Sequence, residues 1–70
     1  MEDSVYKVIE LVGTSRESWE KAARTAVETA AQTLKDLRIA EVIKLDMLLE
    51  DGQVQAYRAK LKVSFKFHHE

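Results

Sequence analysis

The sequence predicts an α+β fold of order β-α-β-β, a three-stranded antiparallel sheet wrapped on one helix. Two extended runs, residues 39–50 and 53–67, are joined by Asp51-Gly52. This pair is the strongest short hairpin signal, because a type I′ turn needs positive φ at both central positions. An apolar stripe at helical spacing precedes the hairpin and follows a strand-like run. A helical crossover makes the first two strands parallel, so the strand order 1-3-2 leaves every neighbouring pair antiparallel.

The first strand is predicted at residues 5–12, a run of β-branched and apolar side chains (VYKVIELV). Gly13 and Thr14 follow, and we expect them to end the strand. Three hydroxyl residues then compete as N-cap of the helix, since each can accept from an orphan N–H of the first turn. The sequence leaves the choice open between Thr14, Ser15 and Ser18.

The helix is predicted from one apolar stripe and spans about 19 residues. The stripe consists of Trp19, Ala22, Ala23, Ala26, Val27, Ala30, Leu34 and Leu37. Its alanines allow the helix to lie close to a sheet. We interpret Trp19 as a packing residue between helix and sheet.

The hairpin carries more apolar surface than one helix can cover. Counting back from a two-residue turn pairs Val42 with Leu61 and Ala40 with Val63 on the helix side. The opposite face is predicted to carry the pairs Leu49/Val54, Met47/Ala56, Leu45/Arg58, Ile43/Lys60, Glu41/Lys62 and Ile39/Ser64. Nothing else in the chain covers that face, and contiguous exposed apolar surface marks an interaction site. We therefore expect an obligate homo-oligomer.

Composition places the chain among small soluble proteins. Its 70 residues indicate one domain, residues 1–70, with no cysteine for a disulfide or thiolate site. The formal net charge is −1, which gives no general attraction to nucleic acid or membrane. No apolar run is long enough for a transmembrane helix, and no signal peptide is evident. A cytoplasmic location is the expectation.

Catalytic motifs are absent from the sequence. It has no Gly-rich phosphate loop, no HExxH and no nucleophile with an evident base. We expect a binding protein rather than an enzyme.

The chain resembles the dodecin family over almost its whole length. The resemblance rests on VYKVIELVGTS (5–15), SWEKAARTAVETAAQTLKDL (18–37), AEVI (40–43) and YRAKLKVSFKF (57–67). Dodecins are β-α-β-β proteins that assemble as hollow shells of twelve subunits, with the sheet facing inward. The resemblance thus implies a homododecamer that binds or stores a small ligand without turnover.

Flavins are the usual dodecin ligands, and the resemblance points to two cofactor-binding positions. Flavin-binding dodecins stack a tryptophan on the flavin at the position of Ile39 and offer a glutamine at the position of Arg58. Both residues depart from that pattern, so flavin is the disfavoured alternative. A structural or protein-interaction oligomer without ligand is a second alternative.

The chain is more similar to the calcium dodecin branch, through Arg38-Ile39-Ala40 and Asp46-Met47. Calcium is therefore the expected cofactor, with Asp46 and Glu50 as candidate ligands. Ca²⁺ requires six to eight oxygen ligands. The two carboxylates lie four residues apart, about 13 Å along a straight strand, so they cannot chelate one ion together. Such a site needs symmetry copies, backbone carbonyls or a carboxylate such as Asp36, and a solvated acidic turn is the alternative interpretation.

Overall fold

The computed structural model describes residues 3–67 and has the predicted element order. Its elements are β1 (Tyr6–Ser15), α1 (Trp19–Ala30), β2 (Leu37–Glu50) and β3 (Gln53–Lys66). The strands form one sheet in the order β1-β3-β2, and both neighbouring pairs are antiparallel. The predicted fold class and strand order are confirmed. No helix in the described part of the chain has the length and apolar character needed to cross a membrane.

The sequence predicts that the first strand ends before Gly13, but β1 continues through Gly13 to Ser15. Gly13 is buried and pairs with Ala59 on β3. A Cβ placed on Gly13 would lie 2.1 Å from the carbonyl oxygen of Ala22, far inside van der Waals contact. The glycine therefore allows the helix backbone to approach β1 closely.

Helix α1 begins after Ser18, whose side chain accepts a hydrogen bond from the Lys21 N–H at 3.0 Å. Ser18 is thus the N-cap that the sequence left open. The helix has 12 residues and is about 18 Å long, shorter than the predicted 19 residues. The prediction failed because a turn follows Ala30 and the last residue of the apolar stripe, Leu37, begins β2.

The β2–β3 hairpin turns at Asp51 and Gly52, whose φ angles of 52° and 76° are both positive, as predicted. The strands each have 14 residues and reach about 46 Å. Because this is more than twice the length of α1, a large part of the hairpin extends beyond the helix. The radius of gyration is accordingly 14.5 Å, against about 11 Å for a compact domain of this size.

The hairpin register differs from the prediction in one segment, because β-bulges shift the pairing. Ile43 on β2 and Gln55 on β3 have no cross-strand partner, and between them the pairing moves by one residue. The predicted partners of residues 39–42 and of Leu49 are confirmed, whereas those of residues 43, 45 and 47 are wrong. Leu49 was also predicted on the face away from the helix, but it lies on the helix side because Leu48 occupies the other face. Leu45 opposes Ala59 and Met47 opposes Tyr57, on the helix side of the sheet.

The core lies where α1 covers the sheet. Its fully buried residues are Ala22, Ala59, Leu61 and Val63. We call the opposite surface of the sheet the open face. It carries Val8, Glu10, Val12 and Thr14 of β1, Arg58, Lys60, Lys62 and Ser64 of β3, and Ile39, Glu41, Lys44, Asp46 and Leu48 of β2. No described element of the chain packs on it, so the subunit buries one side of its sheet and leaves the other exposed.

Candidate functional site

An ion pair between Asp46 and Arg58 stands on the open face, in the part of the hairpin nearer the turn. Arg58 lies on the central strand between Thr14 and Asp46. Its Nε donates to Asp46 Oδ1 at 2.7 Å, and a terminal nitrogen donates to Oδ2 at 3.0 Å. This two-point geometry is the strong form of an arginine–carboxylate contact. Both carboxylate oxygens of Asp46 are therefore engaged within the subunit.

The ion pair changes the proton affinity of both partners. The hydrogen bond from Arg58 lowers the pKa of Asp46 below its ordinary value of 3.8, and the charges of Arg58 and Lys44 act in the same direction. The bond to Asp46 raises the pKa of Arg58 in turn. Because the two side chains remain 39% and 44% exposed, solvent screens much of this interaction. The pair fixes geometry more than it stabilises the fold.

A second contact holds the main chain of Asp46 from the other side of the sheet. The indole Nε1 of Trp19 donates to the Asp46 carbonyl oxygen at 3.0 Å. The Trp19 ring meets Tyr57 edge to face, with centroids 5.0 Å apart. Trp19 thus packs between helix and sheet, as predicted. It also links the start of α1 to the strand segment that carries Asp46.

Strict alternation along a two-residue hairpin predicts Asp46 and Arg58 on opposite faces, but the bulge at Ile43 brings them together on one face. The signal that could have revealed the bulge is the run Lys44-Leu45-Asp46-Met47. Strict alternation from Val42 would turn Lys44 and Asp46 toward the helix side and the two apolar residues outward. A one-residue shift restores the normal polarity of each face.

The two cofactor positions suggested by the flavin pattern share a face but do not meet. Ile39 opposes Ser64 on the open face and is 67% exposed. Ser64 lies six residues from Arg58 along β3, a separation of about 20 Å. The structure therefore brings Ile39 and Arg58 to one surface without forming a single pocket from them.

The two predicted metal ligands are also separate. Glu50 opposes Gln53 beside the turn, about 13 Å along β2 from Asp46. Within residues 3–67, no three carboxylate, imidazole or thiol side chains are grouped so that they could hold a metal ion. The described part of one subunit thus has no carboxylate group of the kind that Ca²⁺, with its six to eight oxygen ligands, prefers.

Comparison with known proteins gives one consistent family. The family model described as Dodecin matches residues 5–68. The calcium dodecin of Mycobacterium tuberculosis is 51% identical over 63 residues, covering 90% of this chain and 89% of that protein.

Solved structures give the same result. The dodecin of Streptomyces coelicolor superposes with a TM-score of 0.92 and 38% identity over the full length of both chains. The crystal structure of the M. tuberculosis calcium dodecin, described as calcium-chelating with a novel calcium-binding site, superposes with a TM-score of 0.83. That match has 49% identity and covers 93% of each chain.

Proposed function

The chain belongs to the dodecin family, and we propose that it is a non-catalytic subunit of a hollow homododecamer that binds and stores calcium. The observation that carries the ligand is the 51% identity to a protein named calcium dodecin. In this proposal the open face forms the inner wall of the assembly, and calcium is bound by groups from more than one subunit.

The exposed apolar surface supports assembly. A folded monomer of 8.0 kDa exposes about 4,450 Å², whereas this chain exposes 5743 Å². Many large apolar side chains are exposed, including Ile39 at 67%, Val12 at 57% and Leu48 at 52%. The surplus lies on both faces of the hairpin, since Leu45 and Met47 project from the helix side. A subunit with apolar surface on two sides suits a closed assembly better than a dimer.

The carboxylates available in one subunit are the reason that the proposed calcium site includes groups from several subunits. Asp46 is an exposed carboxylate on the open face, but Arg58 binds both of its oxygens. A divalent ion at Asp46 therefore competes with Arg58 for the carboxylate. The remaining ligands come from symmetry-related carboxylates and backbone carbonyls, because the described part of one subunit has no complete group.

Light scattering tests the assembly. Twelve subunits of 8.0 kDa give a particle of about 96 kDa, and we expect this mass across the concentration range of the experiment. A stable particle of one or two subunits would contradict the proposal.

Calorimetric titration with Ca²⁺, after removal of bound metal by a chelator, tests the ligand. We expect wild-type protein to bind calcium and Asp46→Asn to bind it at least about tenfold more weakly, since one charged ligand is lost. Glu28→Gln, on the exposed surface of α1, is the matched control and should titrate like wild type. Wild-type protein that binds no calcium overturns the proposal. Equal binding by Asp46→Asn and wild type removes Asp46 from the site, and Glu50→Gln then tests the other candidate.

Riboflavin titration separates the two alternatives. Full quenching of flavin fluorescence at sub-micromolar protein would make this chain a flavin-binding dodecin instead. A twelve-subunit particle with neither metal nor flavin would favour a structural role.

A further inference from the structure

Two lysines face each other at the centre of the open face. The bulge at Ile43 places Lys44 directly opposite Lys60, one on each strand of the hairpin. Like charges in directly paired positions destabilise a sheet. A regular hairpin would have put Ile43 opposite Lys60, so the bulge creates the repulsive pair.

The acids nearby pair with Arg58 and Lys60 but leave Lys44 without an ion-pair partner among the described residues. Asp46 is held by Arg58, and Glu41 stands opposite Lys62. Glu10 forms an ion pair with Lys60 at 3.5 Å and also opposes Lys62. Among residues 3–67, no carboxylate forms an ion pair with Lys44. The open face thus has one cation in excess at its centre, although the whole chain carries a net charge of −1.

We propose that a small phosphate-bearing anion, inorganic phosphate or a phosphate monoester, binds between Lys44 and Lys60. Side chains in a directly opposed cross-strand pair have Cβ atoms about 5 Å apart, so two ammonium groups can reach one phosphoryl group. A phosphoryl group there meets the unpaired charge of Lys44 and competes with Glu10 for Lys60, and lysine is a common phosphate ligand. The attraction grows when the open face is closed off from bulk water, because the local dielectric constant falls. Phosphate binding between these lysines requires no bound calcium.

Equilibrium dialysis against inorganic phosphate, in low-salt buffer containing EDTA, measures the binding. We expect Lys44→Met to weaken it at least about tenfold relative to wild type, since a charged hydrogen-bond donor is lost. Lys7→Met is the matched control, because Lys7 is exposed and opposes Phe65 on the other face of the sheet. Lys7→Met should bind phosphate like wild type. Equal losses in the two variants would mean general charge attraction and would overturn the proposal, as would wild-type protein that binds no phosphate.

Thermal unfolding gives a second signature. Without phosphate, Lys44→Met should melt above wild type, because the repulsion with Lys60 is gone. Added phosphate should raise the melting temperature of wild type and leave that of Lys44→Met unchanged. Identical responses of the two proteins would contradict the proposal.

Three ligands show whether the site binds free phosphate or a phosphate monoester. Glycerol 3-phosphate is titrated beside glycerol and inorganic phosphate. Binding of the monoester with no response to glycerol assigns the site to phosphorylated metabolites, whereas binding of inorganic phosphate alone assigns it to the free ion. Since EDTA is present throughout, loss of calcium binding in a separate experiment leaves this result unaffected.

Discussion

The two halves of the central hairpin have the same kind of sequence and opposite surroundings. Under the helix, Leu61 and Val63 are each 1% exposed. Toward the turn, Leu48 and Leu49 are 52% and 60% exposed, on strands that are equally apolar. The difference arises because an 18 Å helix covers only part of a hairpin of about 46 Å. One half of the hairpin builds the core, and the other half presents apolar surface for contacts outside the subunit.

The largest expected effect comes from adding a side chain at Gly13, where helix α1 lies close against β1. Gly13→Ala places a methyl group against the Ala22 backbone, which cannot move aside as a side chain can. We expect a loss of about 3–5 kcal/mol in the free energy of unfolding, measured by denaturant titration. Gly52→Ala adds the same methyl at the turn, with no atom within 4 Å, and should lose only about 1 kcal/mol through its positive φ. Equal losses of unfolding free energy in the two variants would show that helix α1 is not in close contact with β1 at Gly13.

Truncating one leucine in each half of the hairpin compares the stability contributions of a buried and an exposed leucine. Leu61→Ala leaves a cavity in the core and should cost about 3 kcal/mol. Leu48→Ala should lower subunit stability far less, but it should weaken any assembly that buries the open face. Thermal melts at several protein concentrations separate the two effects, because only an assembly defect depends on concentration. A concentration-independent loss of similar size in both variants would remove the distinction.

A smaller effect is expected at the start of the helix. Ser18→Ala removes the acceptor of the Lys21 N–H and should cost about 1 kcal/mol. Ser15→Ala is the control, because the Ser15 hydroxyl accepts from the Glu17 N–H, which lies before the helix. An equal loss in Ser15→Ala would mean that the cap does not set the helix start.

The smallest effect belongs to the exposed ion pair near the turn. The pKa of Asp46 is lowered in the folded state, so its contribution to stability is present above the ordinary value of 3.8 and lost as the pH falls through the folded pKa. Asp46→Asn should therefore be slightly less stable than wild type at neutral pH, and the two should converge in acid. Chemical denaturation across that range measures the difference.

A double-mutant comparison identifies the partner. Arg58→Gln should reproduce the loss seen in Asp46→Asn, and the double variant should lose no more than either single one. Additive losses would mean that the two residues act independently.

The sequence predicts those parts of the fold that depend on local conformation. Asp51 and Gly52 predict the hairpin because few residues adopt positive φ. The strand order then follows from that turn and from one helical crossover. The prediction that β1 ends before Gly13 is wrong, because a glycine in a strand pattern indicates either the end of the strand or a close approach of another backbone segment. Only the position of Ala22 decides between them.

The candidate site was harder to predict than the fold. Asp46 and Arg58 were each identified, but their contact depends on a one-residue shift between two strands. No local propensity determines such a shift, although the polarity of Lys44 and Asp46 hints at it. The calcium site proposed above would take ligands from several copies of the chain, and contacts between copies cannot be predicted from the local pattern around Glu50.

The bulges at Ile43 and Gln55 cancel each other, because Ile43 adds a residue to β2 and Gln55 adds one to β3. Removing both residues would keep Lys44 opposite Lys60 and Leu48 opposite Ala56, so every intervening side chain would stay on its face. What would change is the curvature of the hairpin, since each bulge bends its strand and increases the local twist. In a closed shell of identical subunits, curvature determines how many copies complete the surface. For the shell proposed above, the double deletion is therefore expected to change the number of subunits while leaving the side chains of the open face in place.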